Sequence, residues 1–229
     1  MSGIAWLQKT DPPEALPPTA RALREPNGLL AVGGALTPDW LTYAYRHGVF
    51  PWYSAEQPIL WWAPDPRAVL LPAEFRISRS LARSIRNRGY VTRIDTAFNS
   101  VVEACAGPRR GGAGTWITDE MREAYVELHR RGLAHSIEVW HEDRLVGGLY
   151  GVAMGRVFFG ESMFTRERDA SKVALARLTQ ECLRLDVVLI DCQLPSPHLA
   201  SLGSRDLVRG EFEEQLAALV DAEPRLWRQ

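Results

Sequence analysis

Residues 136–163 read SIEVWHEDRLVGGLYGVAMGRVFFGESM, and this stretch decides the fold class. Polar and apolar residues alternate in its first four positions, a period of two that indicates a β-strand. The polar segment 141–144 and the sequence Met154-Gly155-Arg156 are typical of turns, and each separates two apolar runs. We therefore predict an antiparallel meander with strands at 136–140, 145–152 and 157–163.

A helix is expected on each side of this meander. Thr118 is a candidate N-cap residue for the helix before it, and Gly132 suits the end of that helix because glycine readily adopts a positive φ. After the meander, an apolar stripe at helical spacing predicts a helix from about Ser171, and residues 187–194 form an apolar run typical of a strand. This order of elements predicts an α+β (mixed α/β) fold with a mostly antiparallel sheet flanked by helices.

The chain before this region differs in composition and predicts a second, smaller domain. Residues 1–27 contain five prolines and show little periodicity. Thr37 and Gly48 suit the start and the end of a helix. Tryptophans lie beside prolines over residues 50–67, which favours loops or edge strands. We therefore expect a small N-terminal α+β domain over residues 1–75 and the larger domain over residues 76–229.

The composition is that of a globular protein of ordinary charge. Of 229 residues, 46% are hydrophobic, and 27 Lys and Arg oppose 28 Asp and Glu, which excludes a strongly basic, histone-like binder. No apolar run approaches the roughly 20 residues that cross a bilayer, and the first residues lack a signal-peptide pattern. Three cysteines without a CxxC pair argue against a disulfide framework or a zinc site. We expect a soluble, cytoplasmic monomer without a metal.

Two carboxylates occur where strands would otherwise be apolar. Asp191 and Gln193 have the same parity in the run 187–194, so we expect them to project from one face. A buried carboxylate is costly unless it is paired or used in the chemistry. Glu161 follows an apolar strand and Gly160, which is typical of a bulge, and it suits a cationic ligand. The alternatives are an Asp191 paired with an arginine or a helix N-terminus, and a Glu161 that faces water.

Aromatic and basic residues supply two further candidate sites. Trp52 and Trp116 lie outside any helical stripe, which suits stacking on a base or lining an apolar pocket; burial in the core is the alternative. Six arginines and no acidic residue occur between residues 76 and 93, and several of them share one face of a predicted helix. This charge favours an anionic ligand, and a solvated helix face is the alternative.

Several chemistries lack their sequence signals. No serine lies in a GxSxG motif, no cysteine lies in a nucleophile motif, and the histidines lack metal-ligand spacing. Residues 109–114, RRGGAG, fit the RxxGxG pyrophosphate loop of acetyl-CoA-dependent transferases. No strand precedes that loop, however, so a flexible basic loop is the better interpretation.

Nine short blocks occur in order between about residues 24 and 215. The blocks are GLLAVGG (28–34), YRHGVFPW (45–52), ILWWAPDPR (59–67), GTWIT (114–118), HSIEVW (135–140), LVGGLYG (145–151), FGESMF (159–164), ASK (170–172) and LIDCQ (189–193). Each block alone is modest, but nine of them in collinear order are specific. Together they resemble the leucyl/phenylalanyl-tRNA–protein transferases.

This resemblance implies a fold and an activity. The fold is a small N-terminal domain followed by an acetyltransferase-like (GNAT-type) domain that uses neither coenzyme A nor a metal. The activity is transfer of Leu or Phe, and less well Met, from aminoacyl-tRNA to proteins with N-terminal Arg or Lys, which marks those proteins for degradation. An aminoacyl ester is already activated, so the absence of a serine or cysteine nucleophile agrees with this chemistry.

The resemblance also implies roles for particular residues. Asp191 would hold and deprotonate the attacking amine, with Gln193 in the same hydrogen-bond network, and Glu161 would face the positive group of the acceptor. Trp52 and Trp116 would flank the terminal adenosine of the tRNA. The pocket for the aminoacyl side chain would be formed by apolar residues, namely Leu149, Phe158, Met163, Leu178 and Ile190. Phosphates of the tRNA would be met by arginines, namely Arg79, Arg83, Arg86 and Arg88.

Two other functions remain open from the sequence. An acetyl-CoA-dependent N-acetyltransferase has the same fold class and a different donor, and coenzyme A binding would identify it. A non-catalytic RNA-binding adaptor would use the arginines and exposed tryptophans, but it would have little use for carboxylates in a pocket.

Overall fold

The computed structural model describes residues 3–107, 117–223 and 227. The strands of these residues are β1 (Ala5–Leu7), β2 (Leu29–Gly33), β3 (Phe50–Pro51), β4 (Leu60–Trp62), β5 (Arg67–Leu70), β6 (Val91–Ile94), β7 (Ala134–His141), β8 (Arg144–Met154), β9 (Val157–Thr165), β10 (Leu189–Gln193) and β11 (Arg205–Leu207). The α-helices are α1 (Pro38–Arg46), α2 (Arg79–Asn87), α3 (Phe98–Ala106), α4 (Asp119–Arg130), α5 (Ala170–Arg184), α6 (Pro197–Ser201) and α7 (Arg209–Leu219).

Seven strands form the larger sheet, in the order β11-β5-β10-β9-β8-β7-β6. Neighbouring strands are antiparallel except β9 and β10, which are parallel. Strands β7, β8 and β9 are the meander predicted from residues 136–163, and α5 connects β9 to β10. The predicted α+β fold with a mostly antiparallel sheet is therefore confirmed.

Helices cover both faces of this sheet because its strands alternate their side chains. On β8, Leu149 packs in the core cluster that includes α2 and α5, whereas Tyr150 packs in the cluster that includes α3 and α4. A strand buried on both faces needs apolar residues at both parities, which is what β8 and the start of β9 supply. Phe158 and Phe159 continue the two layers on β9.

Local capping signals place the predicted helices as expected. The Thr37 hydroxyl accepts a hydrogen bond at the N-terminus of α1, and the Thr118 hydroxyl does the same for α4 with an N···O distance of 3.2 Å. Gly48 and Gly132 follow these two helices with φ of 71° and 72°. Both helix assignments are confirmed.

The N-terminal part of the chain forms a four-stranded sheet in the order β1-β2-β4-β3. Its buried residues belong to the same core cluster as α3, α4 and the C-terminal helix α7. A Cβ atom on Gly48 would lie only 3.0 Å from the Phe212 ring of α7, which shows how closely the two ends of the chain pack. The division at residue 75 stays a prediction; the chain joins the larger sheet already at Arg67, the first residue of β5.

Candidate active site

Two parallel strands separate in the middle of the larger sheet. The pairing of β9 with β10 ends where Asp191 faces Phe159, although both strands continue beyond this point. At the same level β9 carries an extra residue, because its register against β8 shifts between Tyr150 and Gly151. The extra residue is Glu161, and Gly160 beside it marks the bulge that the sequence predicts. The result is an opening between the two strands.

Glu161 lies in this opening within a ring of neutral hydrogen-bond donors. The Tyr45 hydroxyl donates to Oε1 at 2.7 Å, and the Tyr125 hydroxyl donates to Oε2 at 2.6 Å. The two hydroxyl oxygens are 2.7 Å apart, and the Gln193 side-chain amide approaches Oε1 at 3.3 Å. None of these groups carries a positive charge, and Glu161 forms no ion pair with any residue that the structure describes.

Burial raises the pKa of Glu161 from 4.5 to about 7. The hydrogen bonds from Tyr125 and Tyr45 lower this pKa, the nearby charge of Asp191 raises it, and the charge of Arg67 lowers it by a smaller amount. The three oxygen groups form three mutual contacts, but an ionised Glu161 leaves only the two tyrosine protons to fill them. A protonated carboxyl supplies the third proton and closes the ring. Burial, followed by the charge of Glu161, in turn raises the pKa of both tyrosines well above 10.0.

Asp191 is fully buried and has a full counter-charge. The Arg67 guanidinium donates through Nε to Oδ1 at 2.8 Å and through Nη2 to Oδ2 at 2.6 Å. The Gln193 backbone N–H also donates to Oδ1, at 2.9 Å, and Gln193 adopts the left-handed conformation with φ of 60°. The guanidinium lies between the rings of Phe50 and Phe212, 4.8 and 4.7 Å from their centroids. Asp191 thus holds both a buried arginine and the turn that aims Gln193.

An apolar cavity of about 270 Å³ opens beside Glu161 and Gln193. Its lining includes all five residues expected to surround the aminoacyl side chain, namely Leu149, Phe158, Met163, Leu178 and Ile190. A second cavity, of about 230 Å³, shares Glu161, Cys192 and Gln193 with the first and is bounded on its far side by Trp52. The two cavities therefore meet at the carboxylate and the amide. Trp116 lies outside the described residues, as does the loop 109–114.

Comparison with known proteins identifies the family. The family model for leucyl/phenylalanyl-tRNA protein transferase matches residues 69–217, and the model for the N-terminal domain of the same proteins matches residues 34–65. A relative of that name from Azoarcus sp. is 59% identical over 209 residues, or 91% of this chain and 88% of the relative. Another, from Pseudomonas entomophila, is 57% identical over 95% of this chain and 96% of the relative. The chain belongs to this family. The membership inferred from the nine sequence blocks is confirmed.

Two solved structures that are similar to this chain have lower sequence identity than the relatives above. A GCN5-related N-acetyltransferase from Kribbella flavida is 11% identical, with a TM-score of 0.41, over 73% of this chain and 60% of that one. A GCN5-related N-acetyltransferase-like protein from Streptococcus suis is 18% identical, with a TM-score of 0.37, over 75% and 65% of the two chains.

The described residues contain neither a membrane-spanning helix nor a cluster of metal ligands. Within residues 3–107 and 117–223, no helix is long and apolar enough to cross a membrane. In the same part of the chain, no group of three or more His, Cys, Asp or Glu side chains could hold a metal ion.

The predicted basic face of this family member lies on α2. Arg79, Arg83 and Arg86 are exposed, and Arg88 follows directly after the helix and is partly exposed. None of these four arginines forms an ion pair with another described residue. The opposite face of α2 is tied to the start of α5, where the Ser84 hydroxyl donates to Asp169 at 2.7 Å. Helix α5 also supplies Leu178 to the apolar cavity.

Sequence reasoning missed three residues of the site. Arg67, Tyr45 and Tyr125 reach Asp191 and Glu161 from positions 36 to 124 residues away in the chain. The signal that could have found them is that a carboxylate in an apolar strand needs hydrogen-bond or charged partners. The three residues are an arginine on a strand and two tyrosines on helices, and all three are buried.

Proposed function

We propose that this chain transfers leucine or phenylalanine, and less well methionine, from aminoacyl-tRNA to the α-amino group of proteins that begin with Arg or Lys. The observation that carries the proposal is the junction of an apolar cavity with a carboxylate, Glu161, that has no ion-pair partner among the described residues. The relatives are named leucyl/phenylalanyl-tRNA–protein transferases, which supports transfer from an aminoacyl-tRNA to a protein. The product carries a new N-terminal residue that marks the protein for degradation.

The donor binds with its side chain in the apolar cavity. A cavity of about 270 Å³ without a buried charge at its apolar end suits Leu, Phe and Met. Apolar pockets separate substrates that differ by one methylene by only about 1 to 3 kcal/mol, so several apolar donors should be accepted. Trp52, at the rim of the adjoining cavity, offers a ring on which the terminal adenosine can stack, and we assign Trp116 the same role.

The acceptor binds with its positive side chain or amine at Glu161. A guanidinium or ammonium group supplies both the positive charge and the protons that the Glu161 ring lacks when the carboxyl is ionised. Binding therefore favours the ionised form and lowers the pKa of Glu161 from about 7. The side chains of an N-terminal Arg or Lys carry such a charge, and uncharged side chains do not.

Gln193 and Asp191 position the attacking amine. Gln193 lines both cavities, and Asp191 fixes it through the backbone N–H. Both Asp191 oxygens already accept hydrogen bonds, so Asp191 acts on the amine through Gln193. The amine has a pKa near roughly 7.7 to 8.0, so a large fraction is neutral near pH 7. Its nitrogen attacks the ester carbonyl carbon, the bond to the ribose oxygen breaks, and that oxygen takes the proton that the amine loses.

The arginines of α2 bind the phosphates of the tRNA acceptor stem. Arg79, Arg83, Arg86 and Arg88 carry charge that no described acidic residue neutralises. Phosphate contacts give affinity that falls with salt and depends little on sequence. Substitution of Arg83 by Ala should reduce the slope of log affinity against log salt by nearly one. We assign the reaction to the cytoplasm, with a monomer as the active form and with neither coenzyme A nor a metal.

The test is transfer of labelled leucine from Leu-tRNA to a peptide that begins with Arg. We expect label on this peptide and not on a matched peptide that begins with Ala, and we expect transfer to fail in Asp191→Ala. Absence of transfer at every salt concentration by the folded protein would contradict the proposal. Binding of coenzyme A would then favour an N-acetyltransferase, and binding of bare RNA alone would favour an adaptor.

A further inference from the structure

Phe158 lies between the apolar cavity and a third cavity behind it. Its side chain is fully buried and lines the apolar cavity of about 270 Å³. On its other side, the ring of Trp227 lies 5.5 Å from the Phe158 ring, at an angle of 43°. Trp227 itself lines a separate cavity of about 440 Å³. Phe158 therefore contacts both the apolar cavity and Trp227.

Trp227 is held in place by a histidine with a fixed orientation. The rings of Trp227 and His135 stack, with centroids 4.6 Å apart and planes at 13°. His135 Nδ1 lies 2.7 Å from Asp95 Oδ2, and the other Asp95 oxygen accepts a hydrogen bond from the Ser136 backbone N–H at 2.7 Å. Asp95, His135 and Ser136 are all buried, so the imidazole plane on which Trp227 rests has little freedom to turn.

A glycine leaves space for the Phe158 ring beside Trp227. Gly151 pairs with His135 across β7 and β8, and a Cβ atom on Gly151 would lie 2.5 Å from the Phe158 ring. Without a side chain at this position, the Phe158 ring lies over the Gly151 backbone and reaches Trp227. The Trp227 ring is therefore in contact with the Phe158 ring that lines the apolar cavity.

We infer that Trp227 is a specificity-determining residue for the donor: it supports Phe158 from behind and so sets the depth of the aminoacyl cavity. The inference rests on the proposed function, in which that cavity holds the aminoacyl side chain. Trp227 does not touch the donor and acts only through the position of Phe158. Loss of the indole leaves space into which Phe158 can move, so the cavity deepens and larger side chains gain more than smaller ones.

The experiment measures kcat/KM for Phe-tRNA and for Leu-tRNA with one Arg-initiated peptide. In Trp227→Ala we expect the ratio of kcat/KM for Phe-tRNA to kcat/KM for Leu-tRNA to rise by about threefold to tenfold. This is less than the roughly tenfold or more that one methylene contributes in an apolar pocket, because Phe158 moves only part of the way into the vacated space. Trp227→Phe keeps an aromatic ring against His135 and Phe158 and should restore the ratio to within about twofold of the starting protein. Trp6→Ala, which removes an indole that is 70% exposed on β1, is the matched control and should leave the ratio unchanged.

A Trp227→Ala ratio within about twofold of the starting protein would overturn the inference. An equal fall in kcat/KM for both donors would also overturn it, because that result describes a merely structural residue. Absence of transfer from either tRNA by the unsubstituted protein is a different result: it would overturn the proposed function, and the inference with it.

Discussion

Asp191 and Glu161 are carboxylates on adjacent parallel strands, but their surroundings are opposite. Asp191 is sealed from solvent and receives two hydrogen bonds from a buried guanidinium. Glu161 lines two cavities, and among the described residues it receives hydrogen bonds from neutral hydroxyl and amide groups. Asp191 has its counter-charge within the protein. Glu161 has no such partner in the part of the chain that the structure describes, and a cationic acceptor can supply the charge.

Because of this difference, one carboxylate of the strand pair stabilises the fold and the other is available to bind a ligand. A buried ion pair holds its geometry because removal of either partner leaves an uncompensated charge. A buried carboxylate without a counter-ion destabilises the empty protein and favours a cation. Asp191 therefore fixes Gln193 and Arg67, and Glu161 is available for the acceptor.

The largest expected effect is on stability and comes from the buried ion pair of Arg67 and Asp191. Arg67→Ala leaves Asp191 buried without its counter-charge and should lower the free energy of unfolding by about 3–5 kcal/mol. The double variant Arg67→Met with Asp191→Leu removes both charges and should recover most of that loss. Urea unfolding of the three proteins measures the effect. A loss below about 1 kcal/mol in Arg67→Ala would mean that the pair does not hold the site.

The second prediction concerns the pH dependence that Glu161 adds to stability. Since folding raises the pKa of this carboxyl from 4.5 to about 7, the folded protein binds the proton more tightly than the unfolded chain does. The stability from this proton is present below pH 4.5 and is lost as the pH rises to about 7.

The measurement compares the unsubstituted protein with Glu161→Gln by urea unfolding at pH 4.5 and pH 8. Relative to the variant, the unsubstituted protein should lose up to about 3 kcal/mol between these values. A difference between the two proteins that does not change with pH would show that Glu161 titrates normally.

The smallest expected effect is that of one tyrosine hydroxyl. Tyr125→Phe removes a hydrogen bond to Glu161 and should cost about 1 kcal/mol of stability. Because that hydrogen bond lowers the pKa of Glu161, its loss raises this pKa, and the acidic limb of the profile of kcat/KM against pH should move to higher pH.

Tyr53→Phe is the matched control for this variant. Tyr53 is also buried, but its hydroxyl approaches Thr118 and Glu120 rather than Glu161. The pH profile of this control should not move. A profile shifted equally in Tyr125→Phe and Tyr53→Phe would contradict the role given to the Tyr125 hydrogen bond.

The sequence predicted those features that depend on near neighbours. Thr118 caps α4 by accepting from the N–H three residues ahead, so the helix start is visible in the sequence. The bulge at Gly160 and the meander are likewise encoded within a few residues. The five apolar residues of the cavity were assigned from the family resemblance, and the structure gathers them around one space.

The partners of the two carboxylates could not be predicted in this way. Tyr45 is 116 residues from Glu161, and Arg67 is 124 residues from Asp191, and only the folded chain brings them together. The sequence allowed an arginine partner for Asp191 as an alternative but did not identify Arg67. It also gave no sign that Gln193 adopts a left-handed conformation, which is uncommon for a residue other than glycine.

The most direct test of the role of Glu161 compares two acceptor peptides, one beginning with arginine and one with citrulline, its uncharged isostere. If Glu161 binds the acceptor cation, kcat/KM for the arginine peptide should exceed that for the citrulline peptide by about tenfold or more. In Glu161→Gln the ratio should fall close to one, whereas transfer to the citrulline peptide should change little. An unchanged preference for arginine in Glu161→Gln would contradict this account.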